Sequence, residues 1–337
     1  MRAARAFLVL FPLIFVPLAS TPGAATAAAP VETYKKDPGP FLVSAALYNW
    51  TDPARNRLVP VKIYSPVTGK GPFPVIVFSH GLGGSREGYK YLGSHWASYG
   101  YVSVHVDHPG SDTAVLKKSA RPMRELRRAA ADPGTALERP LDVRFVLDQL
   151  EKLNQGGSPL VQRLDLQRVG MAGHSFGAWT TLVVAGQRVG RESAEASLAD
   201  PRIKAAIAMS APVPRKRENF DRAYGSIHIP VLHMTGTLDD SPIGETKAAE
   251  RRVPYDHIHG ADQYLVTFQG GDHMIFSGRL AGSREKDPLF QDLIRQGTTA
   301  FWDAYLKGDA EAKAWLARGY GAVLGRDGKI EKKLTRN

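Results

Sequence analysis

The sequence predicts a three-layer α/β domain built around a mostly parallel central sheet, and three observations carry that expectation. Short β-branched runs alternate with helical stretches along most of the chain. Several of these runs are apolar almost throughout, as strands are when helices cover both faces of a parallel sheet. No internal repeat and no long Ser- or Gly-rich linker breaks the alternation, which argues one layered domain.

Taken in order, VKIY (61–64), VIVFS (75–79), YVSVHVD (101–107), RVGMAG (168–173), IKAAIAMS (203–210), PVLHMTG (230–236) and YLVTFQ (264–269) read as strands. Helices are expected at about 86–98, 139–154, 176–189 and 241–251. A strong one is expected at 289–306, where Leu289, Leu293, Phe301 and Tyr305 recur at near-helical spacing. The stretch 111–138 fits least well. It reads as a basic helix closed by Asp132-Pro133-Gly134, an excursion from the sheet near the edge where the chemistry is expected.

Before these elements, Arg2 and Arg5 precede the apolar run from Ala6 to Ala19 and the small-residue stretch STPGAATAAAP. This is the three-part pattern of a secretory signal peptide. The run is shorter than the roughly 17–25 residues that a membrane span needs, and it contains Pro12 and Pro17. The expected organisation is therefore a leader over 1–29, cleaved after Ala27 or Ala29, and an exported domain over 30–337, secreted or periplasmic. No later stretch reads as transmembrane.

The chain has no cysteine, which excludes a thiol nucleophile, a disulfide framework and a lipoprotein anchor. Its net charge of +11 raises the question of nucleic acid. The densest basic cluster, RPMRELRRAA (121–130), has no adjacent aromatic platform and no nucleic-acid motif. It reads as a solvated helix, with weak attraction to anionic surfaces as the remaining consequence. No nucleic-acid partner is expected.

The sharpest local signal is GHSFG (173–177), between the apolar run RVGMA and the apolar AWTTLVVAG. Strand, GxSxG and helix form the context of a nucleophile elbow, whose strained turn needs small neighbours. Ser175 is the candidate nucleophile, with Gly173 and Gly177 making room for it. A serine hydroxyl needs a base, and His273 in GGDHM (270–274) follows the last expected strand. His233 lies within a strand and reads as a core residue. His257 and His259 precede the last strand and suggest a metal pair without a third ligand. The acid that orients the base should follow another strand end, where Asp239 and Asp240 both stand. Asp239, three residues past Gly236, is preferred. The order Ser, Asp, His then matches one of the three known triad orders and neither of the other two. HGLGG (80–84) follows VIVFS and lets the backbone approach the reacting centre. The amides of Leu82 and Phe176 are the expected oxyanion donors. As a phosphate loop it lacks both the Lys-Ser/Thr pair and the dinucleotide spacing. His105, Asp107 and His108, with Asp112, could be taken for a metal cluster, but they read as supporting groups near a pocket rim, without a chemical role.

FSHGLGG (78–84), GHSFG (173–177), TGTLDD (235–240) and GGDH (270–273), spread over roughly 58–306, together resemble the dienelactone-hydrolase-related serine esterases. Within that group they are most similar to the plasma-type platelet-activating-factor acetylhydrolases and their bacterial relatives. The resemblance implies an α/β-hydrolase fold, no cofactor, and a triad falling on Ser175, Asp239 and His273. It also implies oxyanion donors at Leu82 and Phe176. The expected partner is a small-molecule, lipid or polymeric ester, with a short or lipid-like acyl group. Amide or peptide cleavage and perhydrolysis use the same site, and a non-enzymatic binding module that kept the fold is the alternative from another class.

Overall fold

The computed structural model describes residues 32–117, 120–190, 197–214, 219–278 and 284–335. The expected leader over 1–29 lies outside the described residues. The strands are β1 (Val43–Asp52), β2 (Arg57–Pro66), β3 (Phe73–Ser79), β4 (Val102–Val106), β5 (Leu164–His174), β6 (Ile203–Met209), β7 (Val231–Leu238), β8 (Gln263–Asp272) and β9 (Gly328–Lys333). They form one sheet in the order β1-β2-β4-β3-β5-β6-β7-β8-β9. From β4 across to β8 all neighbours are parallel, while β1, β2 and β9 run antiparallel to their neighbours. This is the mostly parallel sheet and the α/β-hydrolase fold that the sequence predicts.

The helices are α1 (Lys90–Ser98), α2 (Ala114–Lys117), α3 (Pro122–Ala131), α4 (Pro133–Gln155), α5 (Phe176–Ala185), α6 (Phe220–Tyr224), α7 (Val253–His257), α8 (Asp287–Leu306), α9 (Ala310–Arg318) and α10 (Tyr320–Leu324). Strand alternation sorts them into two layers. Ile76 and Phe78 of β3 join a core with Trp96 of α1 and Phe301 and Trp302 of α8, where the two indoles meet edge to face at 6.0 Å. Val75 and Val77, on the opposite face of the same strand, pack with Val143, Val146 and Leu150 of α4. With both faces covered, every residue of β3 and β4 is buried, which is why these strands read as unbroken apolar runs.

Three local expectations differ. The helix expected at 86–98 starts at Lys90, because Tyr89 before it is left-handed at φ 59. The stretch 241–251 is not an α-helix. Pro242 and Gly244 interrupt it, and only a 3₁₀ segment, Ala248–Arg252, precedes α7. Finally, Asp132 starts a helix as well as ending one. Its carboxylate accepts from the Gly134 and Thr135 amides at 3.0 and 3.2 Å, which caps α4 with Pro133 in its first turn. The basic helix of the excursion is α3, and α4 follows it without a loop.

Candidate active site

Ser175 stands between the last residue of β5 and the first of α5, at φ 56 and ψ −119. A non-glycine residue holds that geometry only when its surroundings fix it. Here the Ser175 amide donates to Met209 O at 2.8 Å, tying the turn to the end of β6. The neighbours must be glycine for a spatial reason. A Cβ on Gly177 would sit 1.9 Å from Ser79 O, and one on Gly173 would sit 2.3 Å from Gly177 O.

The Ser175 hydroxyl lies 2.9 Å from His273 Nε2, and His273 Nδ1 lies 2.7 Å from Asp239 Oδ1. Each side chain comes from the residue after, or at the turn following, a parallel strand: β5, β8 and β7. The three groups nominated from the sequence are thus in mutual contact. Asp240 faces away, exposed, capping the Ala248 amide and pairing with Lys247.

Asp239 has no exposed surface, and its oxygens are fully used. Oδ2 accepts from Ser210 Oγ at 2.6 Å and Thr235 Oγ1 at 2.8 Å. Oδ1 receives His273 and lies 3.4 Å from Arg251 Nη2. Burial pushes this carboxyl up, but the His273 hydrogen bond and the Arg251 charge outweigh it and hold it below the usual carboxylate range. Arg251 is buried too, donating to Asp239 O and Ser210 O. Its Nη2 is 3.3 Å from His273 Nδ1. With Nδ1–H donating to Asp239, that last approach is a charge contact and not a hydrogen bond.

The loop after β3 closes a turn in which the Gly84 amide donates to Gly81 O at 2.9 Å and Gly83 sits at φ 75. The Gly83 amide is held by Ser111 O at 2.8 Å. Gly81 is close enough that a Cβ there would approach Ser175 Cβ to 3.3 Å. Of the two residues nominated from sequence, Leu82 lies inside this turn and Phe176 at the first position of α5, where an amide has no intrahelical acceptor.

Several neighbours escaped the sequence reading. His174, beside Ser175, donates from Nε2 to His273 O at 2.9 Å and accepts at Nδ1 from Tyr89 Oη at 2.8 Å. Burial, and then the nearby His273, lower its basicity well below the usual imidazole range, so it serves as a neutral connector. His174 and Thr235 lie within GHSFG and TGTLDD but were not singled out there, and Tyr89, Ser210 and Arg251 fall in no motif. The other histidines fall as read or deeper. His233 is buried with Nε2 against Gln263. His257 pairs with Asp221 at the surface. His105 stacks on Phe78 in the core, and His108 is wholly buried. Among the described residues no group of three His, Asp or Glu could hold a metal ion.

Ser175 and His273 border a cavity of about 1200 Å³ whose apolar walls include Leu82, Met123, Leu126, Phe176, Trp179 and Ile243. Met123 and Leu126 come from α3, so the basic excursion supplies one wall of the cavity. With this geometry in place, comparison with known proteins adds two matches by family. Residues 51–131 match the family model described as platelet-activating factor acetylhydrolase, isoform II. Residues 143–275 match that described as serine hydrolase (FSH1). The chain is an α/β-hydrolase related to the platelet-activating factor acetylhydrolases. Such an enzyme from Cavia porcellus is 27% identical over 305 residues, covering 76% of this chain and 63% of that protein. The match thus spans less than two thirds of the relative's length. Among the described residues no helix is long and apolar enough to cross a membrane.

Proposed function

We propose that this α/β-hydrolase is a carboxylic ester hydrolase in which Ser175 is the nucleophile, His273 the general base and Asp239 the group that orients and stabilises it. One observation carries the reading: the unbroken contact from Ser175 Oγ to His273 Nε2 at 2.9 Å and from His273 Nδ1 to Asp239 Oδ1 at 2.7 Å. His273 takes the Ser175 proton as Oγ bonds to the ester carbonyl carbon. The resulting oxyanion is held by the Leu82 and Phe176 amides, and Asp239 stabilises the imidazolium. The C–O bond to the alcohol then breaks, and Nε2 returns its proton to the departing oxygen. Water repeats the sequence on the acyl-enzyme: its proton goes to Nε2, its oxygen to the acyl carbon, and Ser175 leaves with the proton. The residues supply nucleophile, base and oxyanion donors, and no step needs a cofactor.

The cavity supports an ester with an apolar arm. At about 1200 Å³ it exceeds the roughly 300–1,000 Å³ of ordinary small-molecule sites. Short acyl esters and lipid-like esters both fit within that class. The leader-like residues 1–29 support export of a single domain spanning 30–337, to be checked by N-terminal sequencing of protein recovered outside the cytoplasm. The activity is tested with a panel of aryl and glycerol esters of increasing acyl length against wild type and Ser175→Ala. Turnover that depends on Ser175 is expected. A panel with no Ser175-dependent hydrolysis contradicts the reading.

A further inference from the structure

We propose that Arg139 is a positioning residue that holds the two oxyanion amides in register, an inference that rests on the esterase reading above. Arg139 lies in α4 with none of its surface exposed. Its three guanidinium nitrogens each reach a different wall of the site. Nη2 donates to Ser79 Oγ at 2.9 Å and to His80 O, the residues at which β3 passes into the loop that carries Leu82. Nη1 donates to Ser111 Oγ at 2.7 Å, and Ser111 O in turn holds the Gly83 amide. Leu82 is thus tied on both sides, at His80 directly and at Gly83 through Ser111. Nε donates to Thr180 Oγ1 at 3.0 Å, and the Thr180 hydroxyl donates to Phe176 O at 3.0 Å. The Phe176 ring itself lies against the guanidinium, 4.6 Å from Cζ to the ring centroid. One cation therefore fastens both chain segments whose amides face the expected oxyanion.

The cation is itself braced. Ser79 Oγ, which accepts from Arg139, lies 2.9 Å from His108 Nε2, and His108 Nδ1 lies 3.0 Å from Asp142 Oδ2. The connectivity copies a Ser–His–Asp triad, yet all three side chains are sealed from solvent and no substrate reaches them. Asp142 is fixed from its far side by Arg57, at 2.7 and 2.9 Å, and by Arg55 at 2.9 Å. Burial lowers the Arg139 guanidinium to about 9, while the Asp142 charge opposes that fall, so Arg139 is a cation at neutral pH. A guanidinium presents five N–H donors in a rigid fork, whereas a lysine ammonium is a point charge on a flexible stem. Lysine can keep the charge here but cannot span three walls.

The test compares Arg139→Lys and Thr180→Val with wild type and Ser175→Ala, on a soluble aryl ester and on an aryl boronic acid that forms a tetrahedral adduct with Ser175. Arg139→Lys is expected to lower kcat by on the order of 10², as loss of one oxyanion donor does, with KM changed by less than about threefold. Boronate affinity should fall in parallel, and the acid limb of the pH–rate profile should not move, since the base is untouched. Thr180→Val cuts only the Nε–Thr180–Phe176 branch and should lower kcat by roughly tenfold with the same split. Thermal unfolding identifies a variant that is merely misfolded, and if Arg139→Lys fails to fold, Thr180→Val decides. Folded variants with wild-type kcat and boronate affinity, or a loss confined to KM, overturn the proposal while leaving the esterase reading intact. A wild-type protein without Ser175-dependent turnover removes both.

Discussion

The guanidinium of Arg251 lies 3.4 Å from the carboxylate of Asp239, sharing with His273 the oxygen that orients the ring. The carboxylate, the imidazole, the neutral His174 and this cation all meet within one buried pocket. Arg251 also donates to the main-chain carbonyls of Asp239 and Ser210, so its removal should loosen the carboxylate that His273 contacts. Arg251→Gln is expected to lower kcat on a soluble ester by roughly tenfold or more, with KM changed by less than about threefold. Steady-state kinetics checks this, and an unchanged kcat in a folded variant contradicts it.

The two adjacent carboxylates should behave differently. Asp239 is buried and receives His273, whereas Asp240 is exposed and pairs with Lys247. Asp239→Asn should lower kcat by about 10⁴, through loss of the tautomer that lets Nε2 accept a proton. Asp240→Asn should leave kcat within about twofold, since exposed pairs contribute little. Steady-state kinetics on the pair decides, and a reversed order would show that the neighbouring carboxylate is the orienting one.

Gly177→Ala should damage the fold before it damages the chemistry. The added methyl would meet the Ser79 carbonyl at 1.9 Å, and that main chain belongs to a sheet strand that cannot retreat. A loss of about 3 kcal/mol or more in urea unfolding is expected. Near-wild-type stability would mean that the elbow and the end of β3 are further apart than described.

Stability should fall as the solution is acidified from neutral towards pH 4, through a buried histidine. His233 is buried in β7, and burial lowers it to about 4, against a smaller opposing effect of its Gln263 hydrogen bond. An unfolded chain takes up that proton near ~6.5 and the folded one only near 4. Protonation therefore favours unfolding, and the stability present above ~6.5 is lost as pH falls towards 4, by up to about 3 kcal/mol for this group. His233→Gln removes the titration at a side chain whose hydrogen bond goes to Gln263. Its unfolding free energy should fall less steeply across that window, and an unchanged slope contradicts the assignment.

The parts of the fold that were legible in the sequence are those where one local rule dominates. β3, β4 and β6 are covered on both faces and read as apolar runs. α8 shows its helical period. β1 and β9 were not legible because they lie at the edges of the sheet. GKIEKK in β9 carries three lysines and a glutamate in six residues, a composition that protects an edge from further pairing and resembles a surface loop. The same division holds at the site. Ser175, Asp239 and His273 could be nominated because each follows a strand end, the place where this architecture exposes side chains to a ligand. Arg139 and Arg251 could not, because an arginine within a helical stretch looks solvated until tertiary contacts bury it. The error at 241–251 has the same root: its charged, helix-forming residues outweighed Pro242 and Gly244, which in the structure interrupt the helix.

Intact-mass spectrometry after brief exposure to a fluorophosphonate and, separately, to a slowly deacylating ester decides whether Ser175 is the nucleophile. A serine activated by His273 at 2.9 Å should take a single adduct from each reagent, mapped by digestion to the peptide holding Ser175, with none on Ser175→Ala. An adduct on another residue, or a Ser175→Ala protein that still labels and turns over ester, would contradict the assignment of Ser175 as the nucleophile.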